Sequence, residues 1–155
     1  MKNHLIKTVT AISECEIHLR DANAEGSEIE VYLAQYLVVI LSAEMQQQIY
    51  KIIREVIDSV DDKKIKSFAS NAQEKLFRSV GKGEIAGYLG CFGKDRKDKF
   101  NSLLEDRDVS LYNNAIGERH RVAHSTANQL TLREIKDALI SAEKVLSAVK
   151  IALQD

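Results

Sequence analysis

Residues 27–60 read SEIEVYLAQYLVVILSAEMQQQIYKIIREVIDSV, with neither proline nor glycine to interrupt them. Apolar residues recur through Val31, Leu33, Leu37, Leu41, Met45, Ile49, Ile52, Ile53 and Val56 without a turn signal, the pattern of one long helix. Ser27 can cap its start. Tyr36 to Leu41, apolar on every side and partly β-branched, could be a buried strand if it stood alone; its length and flanks favour helix. A helix apolar all round for nearly two turns is expected to be covered on most sides by other helices. The stretch therefore predicts an all-α fold, with the helix of residues 29–59 at its centre and the last two long helices packed on it.

Working outward, residues 2 to about 24 form a first amphipathic helix along Leu5, Val9, Ile12, Glu16 and Leu19, ended by Gly26-Ser27. Asp61 and Asp62 suit a helix N-terminus, so a third helix is expected from there to about Val80, closed by Gly81-Lys82-Gly83. Four of the seven glycines fall between Gly83 and Gly93, predicting a short helix and a tight bend. Further helices are expected over Asp95 to Glu105 and Arg107 to about Ser125, and Thr131-Leu132-Arg133-Glu134 is a capping box that opens the last one. The sum is a helical bundle of four main helices plus short extra helices, a single domain over residues 1–155. Gly81-x-Gly83 is no phosphate loop, because no strand precedes it and no Gly-Lys-Ser/Thr follows.

The chain of 155 residues has a formal net charge of −1, so no global field draws it to nucleic acid or an anionic membrane, and any RNA contact has to be local. Cys15 and Cys91 match no metal or redox spacing and read as reduced, packed thiols. Glu14 and Glu16 interrupt any signal-peptide core, and the longest apolar run is far too short to span a bilayer. Both point to a cytoplasmic protein with no membrane partner.

Residues 111–125, LYNNAIGERHRVAHS, carry the candidate chemistry. Arg119-His120-Arg121-Val122-Ala123-His124 resembles the motif of the HEPN domain superfamily, an Arg, a polar residue, three more residues and a His, close to the branch associated with RiboL-PSP systems. The resemblance places the motif on a helix just before the last helix of an all-helical domain. It implies a metal-independent endoribonuclease, needing neither cofactor nor metal, in which the RNA 2′-hydroxyl attacks the adjacent phosphate. The residue types suit that reaction: histidine moves protons near neutral pH, and arginine offers phosphate a fixed, permanently charged fork. Arg119 would stabilise phosphoryl charge, His124 would be the acid or base, and His120 would orient phosphate or ribose.

Helix geometry adds a complication. Arg119 falls in the middle of the face made by Leu111, Ala115, Ile116, Val122 and Ala123, whereas His124 shares the other side with Asn113, Gly117 and His120. The two are about 140° apart on a regular helix. Either both reach a cleft at the helix edge, or two copies of the helix meet and share a site; the resemblance implies dimers across the motif, favouring the second. Asn113 is a supporting residue on that polar side. Glu44 is expected to be at least partly buried and is the candidate partner of Arg119, since buried charges are normally paired.

His120 and His124, four apart, could hold a metal, but no good third ligand is present. The run Lys94, Arg96, Lys97 and Lys99 reads as a solvated face, with an RNA track as the alternative. The expectation is thus a homodimeric ribonuclease acting on RNA, a toxin or defence effector held in check by a protein antitoxin or regulator. The alternative is a catalytically idle HEPN-type module for binding or assembly.

Overall fold

The computed structural model describes residues 4–123 and 130–154, and every regular element among them is helical. In chain order these are α1 (Ile6–Asp21), α2 (Glu28–Asp58), α3 (Lys63–Leu76), α4 (Lys82–Leu89), a 3-10 turn (Gly90–Phe92), α5 (Lys94–Ser102), α6 (Asp106–Ala123) and α7 (Leu132–Leu153). The caps read from sequence are in place. Ser27 accepts from the Ile29 N–H, Asp62 from the N–H groups of Lys64 and Ile65, and Thr131 forms the reciprocal box with Glu134.

The 31-residue α2 is the central element: it packs on α1, α6 and α7, and α6 packs in turn on α7. Its Leu41, Met45, Ile49 and Ile53 enter one core cluster with Phe100, Tyr112, Val145 and Val149. Nearer its start, Leu37 and Val38 join Ile12, Cys15 and Ile135 in a second. Among the described residues no helix is long and apolar enough to cross a membrane.

Two carboxylates from other helices hold the first turn of α1, whose N–H groups lack partners within the helix. Glu44 of α2 accepts from the N–H of Lys7 (2.9 Å), the N–H of Thr8 (2.8 Å) and the Thr8 hydroxyl (2.7 Å). Glu143 of α7 accepts from the N–H groups of His4 and Leu5.

Three local expectations change. First, α3 stops at Leu76, short of Val80, because the Phe77 backbone leaves the helix (φ −99°, ψ 96°). Phe77 and Val80 then enter the core, and their carbonyls accept from the hydroxyls of Tyr50 (2.8 Å) and Tyr112 (2.5 Å). Gly81 consequently opens α4, with Gly83 inside it. Second, the basic run on α5 is partly structural. Arg96 donates to the carbonyls of Ala152 and Gln154, and Lys99 to that of Gln154, placing cations at the C-terminus of α7 where the helix dipole favours them. Third, Cys91 is exposed on the 3-10 turn, whereas Cys15 is buried as expected. The apolar run of α2 is covered on most sides, as expected: Leu37, Val38 and Leu41 are fully buried, whereas Tyr36 and Val39 face outward.

Candidate functional site

The motif begins on α6, which the sequence anchors strongly. Asp108, buried in the first turn, accepts from Lys144 Nζ (2.9 and 2.8 Å) and from the Ser141 hydroxyl of α7. One turn on, Tyr112 is fully buried, and its hydroxyl donates to the Val80 carbonyl; burial, with Glu84 nearby, pushes its phenol far above the ordinary range. Asn113 Oδ1 accepts from the Lys82 N–H (3.1 Å), so this predicted supporting residue ties α6 to the start of α4.

Asp108, Tyr112, Ala115 and Ile116 form the buried face of α6. Arg119 continues that register and is half-buried, in keeping with its expected position on the core side. Asn113 and Asn114 on the opposite side are exposed. His120 belongs to the last turns of α6, and His124, the predicted acid or base, lies outside the described residues. The structure therefore brings Arg119, His120 and Asn113 onto one helix.

Glu44 does not belong with them. It is buried as expected, 4% exposed, but both oxygens are engaged by α1 through Lys7 and Thr8. The expected Arg119 to Glu44 pair is replaced by a cap, because the antiparallel α1 brings unpaired N–H donors to a carboxylate that needs them.

Sequence reasoning passed over Glu118. This carboxylate is 3% exposed, pairs with Arg121 and lies between the two halves of the α6 surface. Its i,i+3 spacing from Arg121 was the available signal. Glu118 and Arg121 line a cleft of about 320 Å³ between α6 and the start of α7, with Asn113, Asn114, Leu130 and Glu134. Among the described residues, Glu118 and Glu134 give this cleft two carboxylates and Arg121 one guanidinium. Among the described residues, no group of three or more His, Cys, Asp or Glu is arranged to hold a metal.

An all-helical bundle with an Arg-His-x3-His segment beginning on the penultimate helix is the HEPN class of domain. The chain belongs to the RiboL-PSP-HEPN family, whose model matches residues 3–155. No curated protein and no solved structure gives a match.

Proposed function

We propose that this chain is a metal-independent endoribonuclease that cleaves RNA by attack of the 2′-hydroxyl on the adjacent phosphate, leaving a 2′,3′-cyclic end and a free 5′-hydroxyl. The observation that carries the reading is the position of Arg119-His120-x3-His124 in a chain that belongs to a HEPN family from end to end. In this reading His124 moves the proton at the attacking or leaving oxygen, Arg119 meets the charge that builds on the phosphoryl oxygens, and His120 orients phosphate or ribose. Arg121 is a poorer phosphate ligand, since the buried Glu118 already balances it.

The active unit is a homodimer with composite sites. What supports this is the register of α6: Arg119 follows the buried face of Tyr112 and Ile116, about 140° from the position a regular helix gives His124. Uncontrolled RNA cleavage would harm the cell, so the proposal includes restraint by a partner protein acting as antitoxin or regulator.

The test is cleavage of labelled RNA in excess chelator, with the product ends identified. Arg119→Ala and His124→Ala are each expected to lose about 10²- to 10⁴-fold in rate with the fold intact, and Arg121→Ala to lose less. Equal activity in all three would remove the motif from the reaction. RNA binding without cleavage in the wild type would identify the idle binding module instead.

A further inference from the structure

The cleft between α6 and the start of α7, about 320 Å³ in volume, lies at the small end of the range for ligand sites, the size for one flat ring system rather than a length of chain. It adjoins the motif: Gly117 of its lining precedes His120 by three residues, which makes their positions neighbours along α6. Its walls carry hydrogen-bonding groups of both senses. Glu134 closes the capping box through Oε2, which accepts from the Thr131 N–H (2.8 Å) and the Thr131 hydroxyl (2.9 Å), and Oε1 stays outside the box. Asn113 Oδ1 accepts from the Lys82 N–H, so the amide nitrogen is the end left to donate to a ligand, and Asn114 is exposed beside it. The Glu118 carboxylate, 3% exposed, pairs with the Arg121 guanidinium, yet the Arg121 side chain is itself 52% exposed. A planar cation held by a buried partner and half open is a platform on which a base can stack. Gly117 supplies the room, since a Cβ there would meet nothing within 4 Å.

We propose that this cleft seats a guanine base of the RNA, so that cleavage falls beside guanine; the proposal rests on the ribonuclease reading above. Guanine is the one base of the four whose pairing edge presents two adjacent donors, N1–H and N2–H, and it carries the acceptors O6 and N7 on the adjoining side. The two donors meet the lone pairs of Glu134 Oε1. The acceptors meet the amides of Asn113 and Asn114, and the ring lies on Arg121. Adenine, cytosine and uracil each bring a single donor group to that edge, so each leaves part of the cleft unmatched. Arg121 thereby has a role beside the reaction that its balance by Glu118 suits: it carries a neutral ring, and the phosphate is left to Arg119. A base held on this side of α6 also brings its ribose to the side that carries His120.

Calorimetric titration of the intact chain with the four nucleoside 3′-monophosphates, and with inosine 3′-monophosphate, tests the site without any cleavage. The guanosine compound is expected to bind about tenfold or more tightly than the adenosine, cytidine and uridine compounds. Inosine 3′-monophosphate, which lacks the N2 amino group, is expected to lose most of that advantage. Glu134→Gln keeps a residue that closes the capping box but sets a donor where Oε1 stood, and Gly117→Leu fills the cleft where a Cβ meets nothing. Each is expected to bring guanosine down to the level of the other three with an unchanged helical spectrum. Equal affinity for all four bases, binding of none, or a guanine preference that survives either substitution overturns the proposal. A guanine preference in a chain that never cuts RNA sinks the nuclease reading and leaves the cleft standing. Cutting of RNA beside every base alike sinks the cleft and leaves the nuclease.

Discussion

Glu44 separates structure from catalysis. Its carboxylate accepts three hydrogen bonds from the first turn of α1, and the residue is 4% exposed, so removing it leaves buried donors without partners. Glu44→Ala is therefore expected to cost on the order of 3 kcal/mol of stability, read by urea unfolding. The rate of RNA cleavage per folded chain should stay unchanged, and a Glu44→Ala protein that keeps its stability but loses cleavage would restore the pairing with Arg119. The burial of Glu44 was legible, because it shares a stripe with Leu37 and Leu41. Its partner was not, because periodicity says which face of a helix turns inward and nothing about which helix lies there. Arg119 was legible for the same reason, as a charge in register with Tyr112 and Ile116. Glu118 was not, because a charged residue beside a motif reads as solvated unless the cleft formed by α7 is known.

Among the elements, those with a local signal were readable and those set by distant partners were not. Ser27, Asp62 and the Thr131–Glu134 box fix three helix starts by bonds within a few residues. The end of α3 depends on hydroxyls from α2 and α6, Tyr50 and Tyr112, which draw the Phe77 and Val80 carbonyls out of any continuing helix. Tyr88 of α4 stacks near Phe77 and Phe92 at this junction, and its phenol is pushed up to about 12, first by burial and then by the charges that Cys91 and Tyr50 acquire on deprotonation. Burial raises the Tyr112 phenol further in the same direction. A folded-state pKa above the unfolded one means that the folded chain holds the proton more tightly. The stabilisation is fully present below about pH 10 and is lost as pH rises through the folded value. Unfolding midpoints should therefore fall steeply between about pH 10 and 12, and Tyr88→Phe should flatten that fall; an identical slope in the variant would show that Tyr88 does not govern it.

For the whole molecule, the packing of α6 fixes where the motif's arginine sits, about 140° from the position that a regular helix would give His124. Tyr112, Asp108 and Ile116 fix the rotation of α6 against α2 and α7, so Arg119 cannot turn toward the histidine side without unpacking the core. In the proposed homodimer, two chains related by a two-fold axis would meet this without moving either helix, one giving the arginine and the other the histidine. The arrangement makes a quantitative prediction for mixtures. Equal amounts of Arg119→Ala and His124→Ala chains, allowed to exchange, form half of their dimers as mixed pairs, and each mixed pair holds one complete site of two. The mixture should recover about a quarter of the wild-type rate while each parent alone remains near background. If the mixture stays at background while wild-type chains keep their full rate per chain on dilution to monomers, each chain builds its own site. The rotation of α6 would then have to be offset by reach of the side chains alone.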